Sequence, residues 1–352
     1  MANIFVDPVI VTTPPDNTSR DGIEEWLANL TIWLQEALTS PFEWLHFVQA
    51  TDLLQESGRF PDFNLLKNWQ KRYRLDINII QIARSINDFF RNEDFDLKQT
   101  LDRLEYDFEV ETGSISINPA QFIVRWLDAI HQEMHSLFAA TCVSKCLNHD
   151  LARELRIATS AFPHSVREIE VSAVIVDAIP DFPRSADNSI SQTFPLLFTP
   201  DDLLPLIDVI ELWDRGTKGL LYAIEQQFKK DWYETASDPM KFILGRCFID
   251  SVNDAGLDTN EHMLRRIVKS AAAVIADQAK NIKGYKLHEL RETEAANSPQ
   301  RTRARDNAKA WRLMLGKHGA GWRLHYWQIP TLEGSIIEFS NVVKESDDTI
   351  CE

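Results

Sequence analysis

The chain has 352 residues, 44% of them hydrophobic and 26% charged, with 12 Gly and 15 Pro; this suits about two domains with sizeable cores and excludes a disordered, collagen-like or low-complexity protein. Its formal net charge of −16, taken as a total, argues against nucleic acid and anionic membrane as partners, because both are themselves negative. The four cysteines, Cys142, Cys146, Cys247 and Cys351, give no disulfide framework in a chain this long.

Met1 to Pro15 lacks a basic n-region, and Asp7 and Pro8 interrupt its apolar run, so it does not read as a signal peptide. No apolar run approaches the roughly 18 to 20 residues that cross a bilayer. The expected location is therefore cytoplasmic, with no membrane partner.

From about Asp21 to Asp150, apolar residues recur at helical spacing, as in Ile23, Trp26, Leu27, Leu30, Trp33 and Leu34, and again in Ile123, Trp126, Leu127 and Ile130. Ser40-Pro41, Gly58 to Pro61 and Gly113 punctuate these runs. The pattern predicts an acidic helical bundle over 1–157, with its tryptophans in the core. A mixed segment, 158–264, follows. In it, Glu168 to Val176 alternates and then turns β-branched, as a partly buried strand does. Pro180 to Pro200 reads as a long loop, and helical periodicity resumes from Asp201 to about Gln278, with Asp258 and Glu261 shaped as a helix start.

In the C-terminal segment, 265–352, Ser298, Pro299 and Gly316 delimit a predicted helix over 299–315. Its apolar stripe is Ala304, Ala308, Trp311 and Leu315, and its basic stripe is Arg301, Arg305, Lys309 and Arg312. After Lys317 to Gly321 comes an alternating strand, with Trp322, Leu324 and Tyr326 opposite Arg323, His325 and Trp327. A second strand over about Ser335 to Val343 pairs with it across Gly334. The expected fold class is thus mainly α: a helical bundle, a mixed middle with at least one strand, and a C-terminal helix plus hairpin.

The charge divides unevenly. Residues 1–264 carry a net of −20, residues 265–330 a net of +9, and residues 331–352 a net of −5. The total therefore hides a basic segment with the composition that grips phosphate and stacks on bases. The candidate nucleic-acid-binding residues are Arg301, Arg305, Lys309, Arg312, Lys317 and Arg323, and RNA or DNA is the expected ligand of 265–330 alongside a protein partner. The bland alternative is that carboxylates of the same chain match this charge.

Two constellations offer catalysis. Arg125 followed by His131 resembles the R-x(4–6)-H motif of HEPN-type ribonucleases. That resemblance implies RNA cleavage in which Arg orients phosphate and His moves a proton. The same spacing recurs at Arg312 and His318. A helix followed by a hairpin bearing Arg323 and His325 on one polar face resembles the RelE/ParE toxin arrangement, which implies Arg312, Lys317, His318, Arg323 and His325 as charge stabilisers and proton carriers.

Asp128, His131, His135, Cys142 and Cys146 lie near one stripe of a predicted helix over 119–147. His135 and Cys142 are about 10 Å apart along such a helix, too far for one metal ion. No metal and no cofactor is expected. Walker A, GxGxxG and GxSxG sequences are absent. These features predict a non-catalytic interaction component of a bacterial multi-protein system, such as antiviral defence, with a ribonuclease-type effector as the alternative.

Overall fold

The computed structural model describes residues 2–102, 108–111, 113–147, 154–160, 162–178, 188–232, 238–282, 286–293, 295, 297–316 and 321–352. The chain is a mixed α/β protein, more helical than strand, with two multi-stranded sheets. It divides into two compact units, 1–206 and 207–352.

The first unit is built on strands β1 (Asn3–Val6), β2 (Glu43–Leu45), β3 (Phe108–Val110), β4 (Ser116–Asn118), β5 (Leu155–Ala158), β6 (Glu168–Ala178) and β7 (Ser189–Leu197). Their order is β2-β1-β5-β7-β6-β3, with β4 also paired to β6. Strands β2, β1, β5 and β7 run parallel, whereas β6 runs antiparallel to β7, β3 and β4. Helices α1 (Arg20–Thr39), α2 (Val48–Glu56), α3 (Phe63–Tyr73), α4 (Ile79–Phe90), α5 (Leu97–Asp102) and α6 (Asp128–Cys146) accompany the sheet. Ser19 caps α1 by accepting the Gly22 N–H at 3.2 Å, and Ile23, Leu27, Leu30, Trp33 and Leu34 form its buried stripe, as the spacing predicts. Helix α6 packs on the sheet through Phe138, whose ring meets Phe5 at 6.0 Å, Trp126 at 5.7 Å and Phe194 at 6.3 Å.

This unit corrects the all-helical bundle expected over 1–157. A strand buried on both faces in a parallel sheet has no alternation to read, only a short apolar run. All four residues of β1 are buried, and in the sequence Ile4, Phe5 and Val6 are just such a run. Likewise β7 occupies part of the expected Pro180 to Pro200 loop. The helix expected over 119–147 begins at Asp128, after a 3-10 turn at Ala120–Arg125.

The second unit contains β8 (Lys241–Leu244), β9 (Leu287–Glu289), β10 (Thr302–Arg303), β11 (Ala308–Gly316), β12 (Trp322–Thr331) and β13 (Gly334–Lys344), with α7 (Val209–Asp214), α8 (Gly216–Trp232), α9 (Phe248–Asp254) and α10 (Glu261–Ile275). The sheet order is β10-β11-β12-β13-β8, with β9 also on β11; β8 joins β13 in parallel. Asn260, not Asp258, caps α10, accepting the Met263 N–H at 3.1 Å. Buried apolar side chains of α10, among them Leu264, Ile267 and Ala271, form the helix's inner face.

The hairpin of β12 and β13 lies where the sequence places it, but the preceding helix over 299–315 is replaced by strands. Ser298 closes a local turn by accepting the Thr293 N–H at 3.0 Å instead of capping a helix. Asp306 accepts the Ala308 N–H at 3.2 Å and Asn307 takes a left-handed φ of 59°, so the chain reverses into β11. The cysteines also depart from the expectation of no disulfide. Cys247 and Cys351 form a disulfide across 104 residues of sequence, while Cys142 and Cys146 remain free. Among the described residues no helix is long and apolar enough to cross a membrane.

Candidate functional site

Residues opposed in an antiparallel pair share a sheet face. On β11 and β12, Arg312 lies opposite His325, and Met314 lies opposite Arg323. The structure therefore gathers Arg312, Arg323 and His325, all singled out from the sequence, on one face. The segment after β13 crosses that face. Arg312 Nη1 and Arg323 Nη1 each donate to the same oxygen, Asp348 Oδ1, at 2.9 Å, and Arg301 Nη1 donates to the Asp348 carbonyl at 3.0 Å. Arg323 also lies 3.7 Å from Glu345. Three of the candidate basic residues thus converge on one acidic residue near the C-terminus.

A cavity of about 650 Å³ opens beside this cluster; its charged lining is Arg291, Arg312 and Arg323 with Glu289, Glu345 and Asp348. Trp311 Nε1 and Arg312 Nε are buried N–H groups without a partner. Lys280 sits over the Trp311 ring at 5.2 Å, on the strand face opposite the arginines. The arrangement suits an anionic group. It offers two guanidinium donors from rigid strands, aimed at one point and already holding a carboxylate oxygen there.

His325 is fully enclosed. Its Nδ1 lies 2.9 Å from the Thr349 carbonyl, which only accepts, so the proton of the neutral ring belongs on Nδ1 and Nε2 is left without a partner. Burial pushes its pKa down to about 4. The neighbouring Arg323 and Arg312 act in the same direction, against the Thr349 bond and the Asp348 charge. It is a neutral, sealed imidazole at pH 7, which is not the position of a proton carrier.

The other basic candidates are placed differently. Arg305 is exposed, 3.9 Å from both Asp306 and Glu338, and Lys309 is exposed on β11 opposite Gln328. Lys317 and His318 lie outside the described residues. Sequence reasoning passed over Arg303, whose side chain is 1% exposed and lies over the Trp327 ring at 5.0 Å. It donates from Nη2 to Asp306 and to Glu338, both at 2.7 Å, and from Nε to Asp306 at 3.0 Å. The net of −5 in the last 22 residues, directly after a net of +9, was the signal that these charges meet.

In the first unit, Arg125 and His131 are each bonded elsewhere. Arg125 Nη2 pairs with buried Asp7 at 2.8 Å, Nη1 donates to Thr159 at 3.0 Å and to the Ser160 carbonyl, and Nε donates to Phe122 O at 3.1 Å. Its guanidinium also lies 4.5 Å from the Phe122 ring centre and 4.8 Å from that of Phe162. Asp7 also accepts from Trp126 Nε1 at 3.0 Å and from the Thr159 hydroxyl at 2.6 Å, and this cluster ties together the C-terminal ends of β1 and β5. His131 Nε2 lies 3.0 Å from Ile123 O, and its ring stacks with that of His135 at 6.3 Å on the wall of a second cavity of about 690 Å³.

Cys142 and Cys146 lie four residues apart on α6; the Cys146 thiol, next to Cys142 and accepting from Gln192 at 3.3 Å, is drawn below the usual thiol range, while the Cys142 thiol, which donates to the Val171 carbonyl at 3.4 Å, is pushed up. Among the described residues no three His, Cys, Asp or Glu side chains converge as a metal ion requires.

The chain matches no known protein family, no curated protein and no solved structure. The functional reading therefore rests on the site itself.

Proposed function

We infer that the protein is a non-catalytic interaction component whose C-terminal unit takes phosphate groups of a nucleic acid at the arginine-lined cavity. The carrying observation is the convergence of Arg312 and Arg323 on a single carboxylate oxygen at 2.9 Å each. A phosphate oxygen presents the same charge and the same acceptor geometry. Arg291 and His288 extend the polar lining. The ribonuclease alternative has less support, since His325 is enclosed and the Arg125 guanidinium is already bonded to Asp7, Thr159 and Ser160 instead of being open to a phosphate.

Binding is tested by fluorescence anisotropy of the full chain with labelled 12-mer single-stranded RNA and DNA at two salt concentrations. The expected outcome is affinity that falls with salt, loss of at least tenfold on substituting Arg312→Ala and Arg323→Ala together, and a shallower salt slope for that variant. Binding that ignores salt, or that survives the double substitution, would remove the reading.

A further inference from the structure

Asp348 occupies the place where the phosphate would go. Around it, the segment from Glu345 to the C-terminus forms a strap across the sheet. The Thr349 carbonyl faces His325 Nδ1 at 2.9 Å and accepts from Asn341 Nδ2 at 3.1 Å. The Cys351 carbonyl accepts from Trp327 Nε1 and from Ser340 Oγ, both at 2.8 Å. Ile350 packs against the cluster of Leu290, Ala308, Ala310 and Trp327. Cys351 is then joined covalently to Cys247, just before α9. Both cysteines are half-buried, so a reductant can approach. Bonded at both sides of Asp348, the strap presents the carboxylate to the arginines at a fixed position.

We propose that the C-terminal strap is a tethered internal competitor for the arginine clamp, and that the Cys247–Cys351 disulfide sets how strongly it competes. This rests on the phosphate-binding reading above. A tethered group competes at an effective concentration set by its tether, of order millimolar even for short flexible linkers and falling as the tether loosens. An external phosphate must displace the Asp348 side chain, which is 36% exposed. Reduction transfers two electrons and two protons from a dithiol, whose own sulfurs become a disulfide as Cys247 and Cys351 become thiols. The hydrogen bonds of Thr349 and Cys351 remain, but the end of the strap is no longer fixed. The competitor is thereby weakened without being removed.

The test uses the full-length oxidised protein and a labelled oligothymidylate 12-mer. D348A and D348N are expected to bind at least tenfold tighter than wild type. Wild type is expected to gain about threefold or more on treatment with dithiothreitol, and C351S to match the reduced protein without reductant. If D348A and D348N bind as wild type does while the double arginine substitution still abolishes binding, the competitor proposal is overturned and the binding reading stands. If no form binds the oligonucleotide, the binding reading fails. The strap is then decided by phenylglyoxal labelling of Arg312 and Arg323, followed by mass spectrometry. Faster labelling in D348A and after reduction supports it, and equal rates in all forms overturn it.

Discussion

Arg303 shows what a single enclosed charge demands of its surroundings. A guanidinium does not give up its proton in a protein, so its burial has to be met by acceptors. Asp306 and Glu338 supply them at 2.7 Å, and Asp306 is drawn below the usual carboxylate range in return, first by its bond with Arg303. Truncation by Arg303→Ala takes from Glu338, itself nearly buried, its closer partner, leaving only Arg305 at 3.9 Å, and uncovers one side of Trp327. The expected cost is about 3–5 kcal/mol of unfolding free energy. Replacing both partners, as in Arg303→Met with Glu338→Gln, should recover much of it, because no uncompensated charge then stays inside. Urea titrations of the three proteins check this, and equal losses in the single and double variants would show that packing on Trp327, not charge, is what Arg303 supplies. At this scale the sequence was partly legible. Arg312, Arg323 and His325 could be chosen because basic residues stood out in the one positive segment. Arg303 could not, since nothing in its neighbours separates an enclosed arginine from a solvated one.

Among the elements, the strands of β12 and β13 and the helix α1 were legible because their periods, near two and near 3.6, run long enough to be unambiguous. Strand β11 was not. Ala308, Trp311 and Leu315 fit a helical stripe, and Ala, Lys, Arg, Leu and Met favour helix; yet Ala308, Ala310 and Leu313 are fully buried while Lys309 is exposed, and pairing to β12, β9 and β10 overrides the propensity. The Asp306-Asn307 turn was the local mark of a reversal. The competitor strap, with no regular structure, was not legible at all except through its charge.

Helix α8 carries a different constraint. Only Arg215 separates it from α7, and at Gly219 an added Cβ would collide with the Leu212 carbonyl of the preceding helix and press on Arg215. Backbone on one side leaves no soft neighbour to give way. Gly219→Ala is therefore expected to lower stability by about 1–3 kcal/mol despite the better helix propensity of alanine, measured by thermal and urea unfolding. A neutral or stabilising result would mean that α7 and α8 separate at little cost.

At the level of the whole molecule, the −16 total resolves into a pattern that matters for how stability depends on pH. Much of the positive charge of 265–330 is met within the second unit by Asp306, Glu338, Glu345 and Asp348, so folding brings the −5 and +9 segments together. Acid acts on the chain first through its histidines. His46 and His135 in the first unit and His325 in the second are all lowered, in each case mainly by burial. Each is neutral when folded and ordinary when unfolded, so each contributes stability that is fully present above about pH 6.5. As pH falls from 6.5, the unfolded chain takes up protons that the folded chain refuses. For His325, whose folded value is about 4, the loss accumulates down to that pH and reaches roughly 3 kcal/mol. The lowered carboxylates Asp306 and Asp347 add losses of the same sign only at still lower pH, once their unfolded forms begin to protonate. His325→Asn keeps an N–H to offer Thr349 and removes the titration. Urea midpoints of wild type and His325→Asn between pH 7.5 and 4.5 should converge as pH falls, with wild type the steeper. Parallel curves across that window would mean that His325 is protonated in the folded protein, and hence that water reaches the face beneath the strap.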